Sequence, residues 1–191
     1  MTLDFFKIEN TKDPQKGLVL ISEPLSDDDY FSRSVVLLTE HTSEGSIGFV
    51  LNKTTDYVLS DLIPELDSNL KVFKGGPVEP NSLHYIHSIQ TIHNAVEINQ
   101  DLYWGGDFEQ IKELLKLSLI KDTQIQFFLG YSGWAPNQLD HELKNNYWII
   151  SDIDKEEIFL SRAETFWKEK IKRLGEAYKV WLNVPKNPSL N

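Results

Sequence analysis

The residues that most resemble catalytic machinery lie where an apolar run gives way to glycines and polar groups. Ser132, Asp140 and His141 are the three residue types of a serine hydrolase triad. Asp140 and His141, however, are neighbours on a predicted helix and project about 100° apart, so this carboxylate cannot orient this imidazole. A nucleophile elbow also needs a residue between the serine and the second glycine, and Gly133 follows Ser132 directly. The sequence therefore predicts no serine nucleophile here.

An arginine and three histidines are the next candidates. Arg33 follows the aspartates at 27–29, where it could hold a phosphate or carboxylate, and an ion pair with one of those aspartates is the alternative. His84 and His87 are three apart on a predicted strand and point to opposite faces. His41 joins them in a metal site only if folding brings all three together, because the helical spacing of zinc ligands is absent. We expect no metal and no cofactor.

Three glycine turns remain, at Gly75-Gly76, at Gly105-Gly106, and at Gly130 with Gly133. Glycine allows positive φ or the close approach of a second backbone. The last turn follows the apolar run 127–129 and precedes a helix with Pro136 in its first turn, an arrangement that can bind an anion. If the three turns gather at one edge of the sheet, they form a small anion or nucleotide pocket; if they are scattered, they are only tight corners.

Composition limits the function classes. The chain has 191 residues, no cysteine and a net charge of -10. It can bury a substantial core without disulfides, and thiol catalysis is excluded. The charge opposes binding to nucleic acid or to an anionic membrane. With no signal peptide and no apolar run of about 20 residues, we expect a cytoplasmic protein. One predicted helix carries a basic cluster, which favours a solvated helix face, with DNA binding as the alternative. The cluster consists of Arg162, Lys168, Lys170, Lys172 and Arg173.

Apolar runs and turn residues alternate irregularly along the chain. We predict strands at 17–22, 35–39, 47–51, 72–74, 83–88, 95–98, 101–104, 127–129, 147–151 and 158–160, with an edge strand at 178–184. Helices are predicted at 59–66, after the N-cap Asp107, after Pro136 until about 143, and at 163–174 behind a capping box of Ser161 and Glu164. The pattern predicts one α+β domain at 17–175 with a mixed sheet and three to four helices. An arm (1–16) precedes it, and an extended tail (176–191) follows it.

Several motifs occur in one order along the chain. They are Arg33-Ser34-Val35-Val36, Glu40-His41, Gly45-Ser46-Ile47-Gly48-Phe49-Val50-Leu51-Asn52, Gly75-Gly76-Pro77-Val78, Trp104-Gly105-Gly106-Asp107, and Gly130-Tyr131-Ser132-Gly133-Trp134-Ala135-Pro136 with Gln138-Leu139. Together they closely resemble the YqgE/AlgH family of bacterial proteins, whose activity is not established. The resemblance implies a largely antiparallel, branched sheet curled into a partial barrel, and a cytosolic protein described in some cases as a transcriptional regulator of exopolysaccharide synthesis.

Two positions depart from the family pattern. Lys53-Thr54 stands where the family often has Arg-Pro, and Ser132 stands where it often has alanine. The second departure argues against a nucleophilic role for Ser132.

The motifs and glycine turns give a set of candidate ligand-binding residues: Arg33, Ser34, His41, Asn52, Gly75, Gly76, Gly130, Tyr131, Gly133, Trp134 and Gln138. The first hypothesis is a binding or regulatory protein that recognises a protein partner or a small anionic ligand. The second is a hydrolase or phosphoryl-handling enzyme that uses the glycine turns and Arg33. The third is direct DNA binding through the helix at 163–174, which the net charge disfavours.

Overall fold

A computed structural model describes residues 7–26, 28, 30–160, 163 and 165–185. Its strands are β1 (Val19–Ser22), β2 (Val35–Thr42), β3 (Gly45–Val50), β4 (Thr54–Val58), β5 (Lys71–Lys74), β6 (Val78–His87), β7 (Val96–Asn99), β8 (Leu102–Trp104), β9 (Ile125–Trp134) and β10 (Trp148–Ser151). Its α-helices are α1 (Leu59–Leu62), α2 (Phe108–Lys116), α3 (Gln138–Lys144), α4 (Lys155–Phe159) and α5 (Phe166–Arg173). Within these described ranges, 3-10 segments span Asp122–Gln124 and Glu176–Asn183. The predicted α+β class is confirmed, with more and shorter helices in the described part than the three to four expected.

The sheet branches at β9, the apolar strand from which the sequence analysis began. The strand order is β10-β1-β2-β3-β9-β6-β8-β7, and β5 joins β9 as well as β4. β6 runs antiparallel along one edge of β9. Along the other edge, β5 pairs in parallel with residues 127–129, and β3 then pairs antiparallel with residues 132–134. The branched, largely antiparallel sheet is therefore confirmed.

The sheet curls without closing into a barrel in the described residues. Lys16, just before β1, donates from Nζ to the carbonyl oxygen of Glu97 on β7 at 3.1 Å. β1 and β7 lie near opposite ends of the strand order, so this contact requires a curved sheet. Residues 8–12 run along β10 and its flanks, where the side chain of Asn10 bonds both Trp148 O and Ile150 N. The start of the chain thus covers an edge strand.

Apolar side chains pack on both faces of the sheet, which is why β1 and most of β2 read as continuous apolar runs. On one face, Val19 and Leu37 contact the core that contains Trp167 and Trp181 of the C-terminal segments. On the other face, Leu20 lies in a second core with Leu139 of α3. A third core lies under α2 and β6.

Three local predictions were wrong, and one strand was missed. β9 continues through Gly130 and Gly133 to Trp134, because the glycines relieve contacts across the strand without ending it. Residues 158–160 lie in and after α4, whose start is marked by Asp154 and Glu157, a capping pattern that the short apolar run concealed. Residues 178–183 form a 3-10 helix that buries Trp181, where an edge strand was expected. β4 was not predicted, since its sequence TTDYV is mostly polar. The predicted capping box of Ser161 and Glu164 lies outside the described residues.

Candidate functional site

Arg33 joins distant parts of the chain. Its backbone is left-handed (φ 52°), and its carbonyl oxygen accepts a hydrogen bond from Asn52 Nδ2 at 2.9 Å. Its Nη2 donates to Val184 O, and its guanidinium carbon lies 5.2 Å from the ring centroid of Trp167. Partial burial lowers the pKa of Arg33. The aspartates at 27 and 29, two possible ion-pair partners, lie outside the described residues. Through these contacts, Arg33 links the start of β2 to the C-terminal segment.

Ser34 and Asn52, both buried, belong to the same backbone network. Ser34 N donates to Ser22 Oγ at 2.8 Å, and Asn52 Oδ1 accepts from Val35 N at 2.9 Å. These bonds satisfy the buried backbone N–H groups at the start of β2, which would otherwise lack acceptors. Asn52 is thus accounted for structurally, whereas the Ser34 hydroxyl is buried without a hydrogen-bond partner among the described residues.

His41 lies at the other end of β2, about 25 Å from Arg33 for eight extended residues. Its Nδ1 is 2.7 Å from Ser46 Oγ, and it lines a cleft of about 320 Å³ with Asn137 and Asp140. Arg33 and His41, both candidate ligand-binding residues, therefore lie too far apart to share one small site. In the part of the chain that the structure describes, no three His, Asp, Glu or Cys residues are grouped as metal ligands would be.

The other two candidate histidines are inside the fold. His87 has Nε2 2.9 Å from Gly105 O, and its Nδ1 accepts from Ile89 N, so the imidazole is neutral. His84 packs among Phe49, Trp104 and Tyr131. Its Nε2 is buried without a hydrogen-bond partner among the described residues. Burial lowers the pKa of both histidines from 6.5.

Two of the three glycine turns meet, but they leave no pocket between them. A Cβ on Gly75 would lie 2.9 Å from Phe49 Cδ1 and closer still to Gly130 O, while one on Gly130 would lie 2.6 Å from Gly76 O. One on Gly76 would overlap the backbone of Tyr131. These glycines therefore let two backbones cross. Gly106 packs elsewhere, against Ile92 and His93, whereas a Cβ on Gly105 would meet no atom within 4 Å. The close-packed interpretation therefore fits Gly75, Gly76, Gly106 and Gly130 but not Gly105.

Trp134 and Gln138 both hydrogen-bond to the half-buried carboxylate of Glu142. Glu142 Oε2 accepts from the indole Nε1 of Trp134 at 2.8 Å and of Trp148 at 2.7 Å. Gln138 Nε2 donates to Glu142 Oε1 at 2.9 Å, and its Oε1 accepts from Ala135 N. This network fixes α3 on the sheet and uses up its polar groups. Gly133 is exposed beside it.

The predicted basic face of α5 is only partly solvated. Lys168 and Lys172 are exposed, whereas Lys170 is 4 % exposed and donates to Asp152 O at 2.7 Å. Lys170 and Arg173 both pair with Glu157. Arg162 lies outside the described residues. Of the cations that DNA binding would need, Lys170 is thus engaged inside the protein, and Arg173, although exposed, is paired with Glu157.

The structure reveals a cleft that sequence reasoning missed. It has a volume of about 640 Å³ and lies where β4, β5, β6 and β9 meet, and its lining residues are Tyr30, Lys53, Thr54, Thr55, Lys74, Gly76, Pro80 and Leu129. Lys74 is exposed, and its backbone N–H donates to Lys53 O at 2.7 Å, which sets the two lysines side by side. Of the predicted candidates only Gly76 lies here. We call this the lysine cleft. Little in the sequence indicated this cleft. Lys53-Thr54 was noted as a departure from the family pattern, but only the pairing of β4 with β5 brings Lys74 close to Lys53.

Among the described residues, no helix is long and apolar enough to cross a bilayer.

Comparison with known proteins gives consistent matches. The AlgH-like family model matches residues 19–179. A UPF0301 protein of Parabacteroides distasonis is 44% identical over 193 residues, covering 98% of both chains. One of Cytophaga hutchinsonii is 42% identical, covering 92% of this chain and 98% of its own. Two solved structures share the fold. A Corynebacterium diphtheriae protein has a TM-score of 0.74 at 24% identity, covering 91% of this chain and 94% of that chain. The AlgH protein of Pseudomonas aeruginosa has a TM-score of 0.71 at 22% identity, covering 93% and 98%.

Proposed function

This chain belongs to the AlgH-like family, and from that premise we propose that it is a cytoplasmic binding protein without catalytic activity whose ligand is a small anion. The supporting observation is the lysine cleft. Two lysines and two threonines line it together with Gly76, in a chain whose net charge is -10. A local positive site on an acidic protein concentrates small anions while repelling polyanions. Phosphate and carboxylate groups are the ligand chemistry that lysines recognise.

The contacts around the cleft support a rigid site. Thr55 Oγ1 donates to Val72 O at 2.8 Å, which fixes β4 against β5. Gly76 is held by its crossing with Tyr131. A site on paired strands needs little ordering on binding, so less affinity is lost.

A catalytic function has no comparable support. Arg33, the residue on which a hydrolase was suggested, contacts Val184 and Trp167, and Ser132 Oγ donates to Gly75 O at 3.0 Å inside the core. In this proposal any influence on transcription is indirect, through the ligand or a protein partner, because the net charge opposes contact with DNA.

A thermal-shift screen with inorganic phosphate, pyrophosphate and nucleotides at low ionic strength tests the proposal. An anion at a hundred times its Kd adds about 2.7 kcal/mol of stability. For a domain of this size, that is a rise in Tm of roughly 5–10 °C.

Lys74→Met should remove most of this rise. Lys71→Met is the matched control, since Lys71 is also exposed on β5 but does not line the cleft. If no anion raises the Tm, or if both variants reduce the rise equally, the lysine cleft is not the site.

A further inference from the structure

β6 has a stretch of edge that no strand covers in the part of the chain that the structure describes. Of its ten residues, β8 pairs only with Ile86 and His87. The last contact on that side is Gly105 N to Tyr85 O at 3.0 Å. Backbone polar groups alternate between the two edges of an antiparallel strand, so those of Leu83 point the same way as those of Tyr85. Leu83 thus presents an N–H and a C=O beyond the end of β8.

A cleft of about 500 Å³ lies at this edge. Its aromatic lining includes Trp104, Tyr85 and Phe108, and the rings of Tyr85 and Phe108 are 5.5 Å apart. Gly105 adds open space, with no atom within 4 Å of the position a Cβ would take. Val96 stands on the rim, 53% exposed. We call this the edge cleft. Its volume and its aromatic walls are typical of small-molecule sites.

The charges around the edge cleft disfavour an anion. Asp107 caps α2 by accepting from Glu109 N at 3.0 Å and from Gln110 N at 3.4 Å, so the helix N-terminus is already occupied by a carboxylate. Burial, and to a smaller extent Asp107, raises the pKa of Tyr85 to about 12. Its neutral hydroxyl donates to Gly106 O at 2.7 Å.

The same edge resists an added peptide strand. Pro80 supplies no N–H to a neighbouring strand, and Glu79 has a left-handed backbone (φ 46°) that interrupts the ladder. Only a short length of edge near Leu83 remains usable. That length suits one planar molecule better than an extended chain.

We propose that the edge cleft binds a small, uncharged, planar heteroaromatic molecule, which stacks against the aromatic wall and pairs a donor and an acceptor with the backbone of Leu83. This site is separate from the lysine cleft and does not depend on it. Stacking with aromatic side chains prefers flat rings, and the two backbone groups select a ring that carries both N–H and acceptor nitrogen or oxygen.

An amide-resolved NMR titration of the labelled full chain tests this inference with adenine and cytosine as probes and caffeine as the matched comparison. Caffeine is equally flat but has no N–H donor. Saturable shifts are expected at the amides of Leu83 and Gly105 and at the indole of Trp104. Caffeine should bind at least about tenfold more weakly, because one backbone acceptor stays unpaired.

Variants at the rim complete the test. Val96→Trp should fill the cleft and weaken adenine binding about tenfold or more. Val96→Thr keeps the shape of this exposed side chain and should leave binding unchanged. Lys74→Met should leave adenine binding unchanged as well, which separates this result from that for the lysine cleft. The inference is overturned if neither probe shifts these signals, if caffeine binds as tightly as adenine, or if Val96→Trp binds normally.

Discussion

The crossing of Gly75 with Gly130 gives the sharpest prediction about the fold. Gly75→Ala would place a Cβ 2.9 Å from Phe49 Cδ1 and deep inside the contact distance of Gly130 O. Real Cβ atoms essentially never come within 3.0 Å of another heavy atom, so one backbone must move by roughly an ångström. The backbone at Gly75 is held from both sides and cannot move freely.

Three hydrogen bonds limit that movement. Gly75 N donates to Leu129 O at 2.8 Å, and Gly75 O accepts from Val50 N and from Ser132 Oγ, both at 3.0 Å. Weakening three buried bonds at about 1 kcal/mol each gives a loss of about 3 kcal/mol. That is a large part of the roughly 5–15 kcal/mol that stabilises a typical domain.

Urea unfolding followed by circular dichroism measures this loss as a lower midpoint at an unchanged slope. Gly133→Ala is the matched control, because its nearest neighbour would be Tyr131 Cε2 at 3.4 Å, an ordinary contact. It should change stability by no more than about 0.5 kcal/mol. A Gly75→Ala protein that does not fold, beside a folded Gly133→Ala protein, agrees with the crossing. A Gly75→Ala midpoint equal to that of the wild type would refute it.

Three further perturbations probe the buried polar groups. Glu142→Ala leaves two buried indole N–H groups without an acceptor and should cost about 2–4 kcal/mol in urea unfolding. Lys170→Met removes a buried ammonium from Glu157 and should cost about 2 kcal/mol by the same assay, since Arg173 still pairs with that carboxylate. Burial lowers the folded pKa of His84 and His87 from 6.5. The stability contributed by the two neutral imidazoles is therefore complete above pH 6.5 and is lost as the pH falls through their lowered folded-state pKa values. In His84→Phe, the urea midpoint should fall less steeply with decreasing pH than in the wild type.

Each of these has a neighbour that serves as control. Asp140→Ala lies on α3 beside Glu142 but is exposed, and Lys172→Met lies exposed on α5. Both should stay within about 0.5 kcal/mol of the wild type. His141→Gln, also exposed, should leave the pH dependence unchanged. Equal effects in a variant and its control would show that the buried contacts contribute nothing specific.

The fold was predictable where apolar runs were long and turn residues were strong. Examples are the paired strands β2 and β3 and the helix after Asp107. In each, a clear pattern of apolar residues was accompanied by a turn or a helix cap. Prediction failed where local sequence was ambiguous and tertiary packing decided. Residues 178–183 alternate as an edge strand would, but the burial of Trp181 against the core fixes a 3-10 helix.

The candidate site was harder to predict, because shared motifs mark packing as readily as binding. Arg33, Asn52 and Trp134 were chosen for their chemistry, and each is engaged in a structural contact. The lysine cleft depends on β4, a strand too polar to be recognised, and on its pairing with β5. The topology of the sheet brings these residues together, and their spacing along the sequence does not reveal it.

A crystal structure of the full chain with inorganic pyrophosphate is the most direct test of this account. It should show the anion in the lysine cleft, within hydrogen-bond distance of Lys53 or Lys74 and of the threonines beside them. An anion bound at Arg33 or His41 with a carboxylate nearby, or an empty lysine cleft at saturating pyrophosphate, would contradict it.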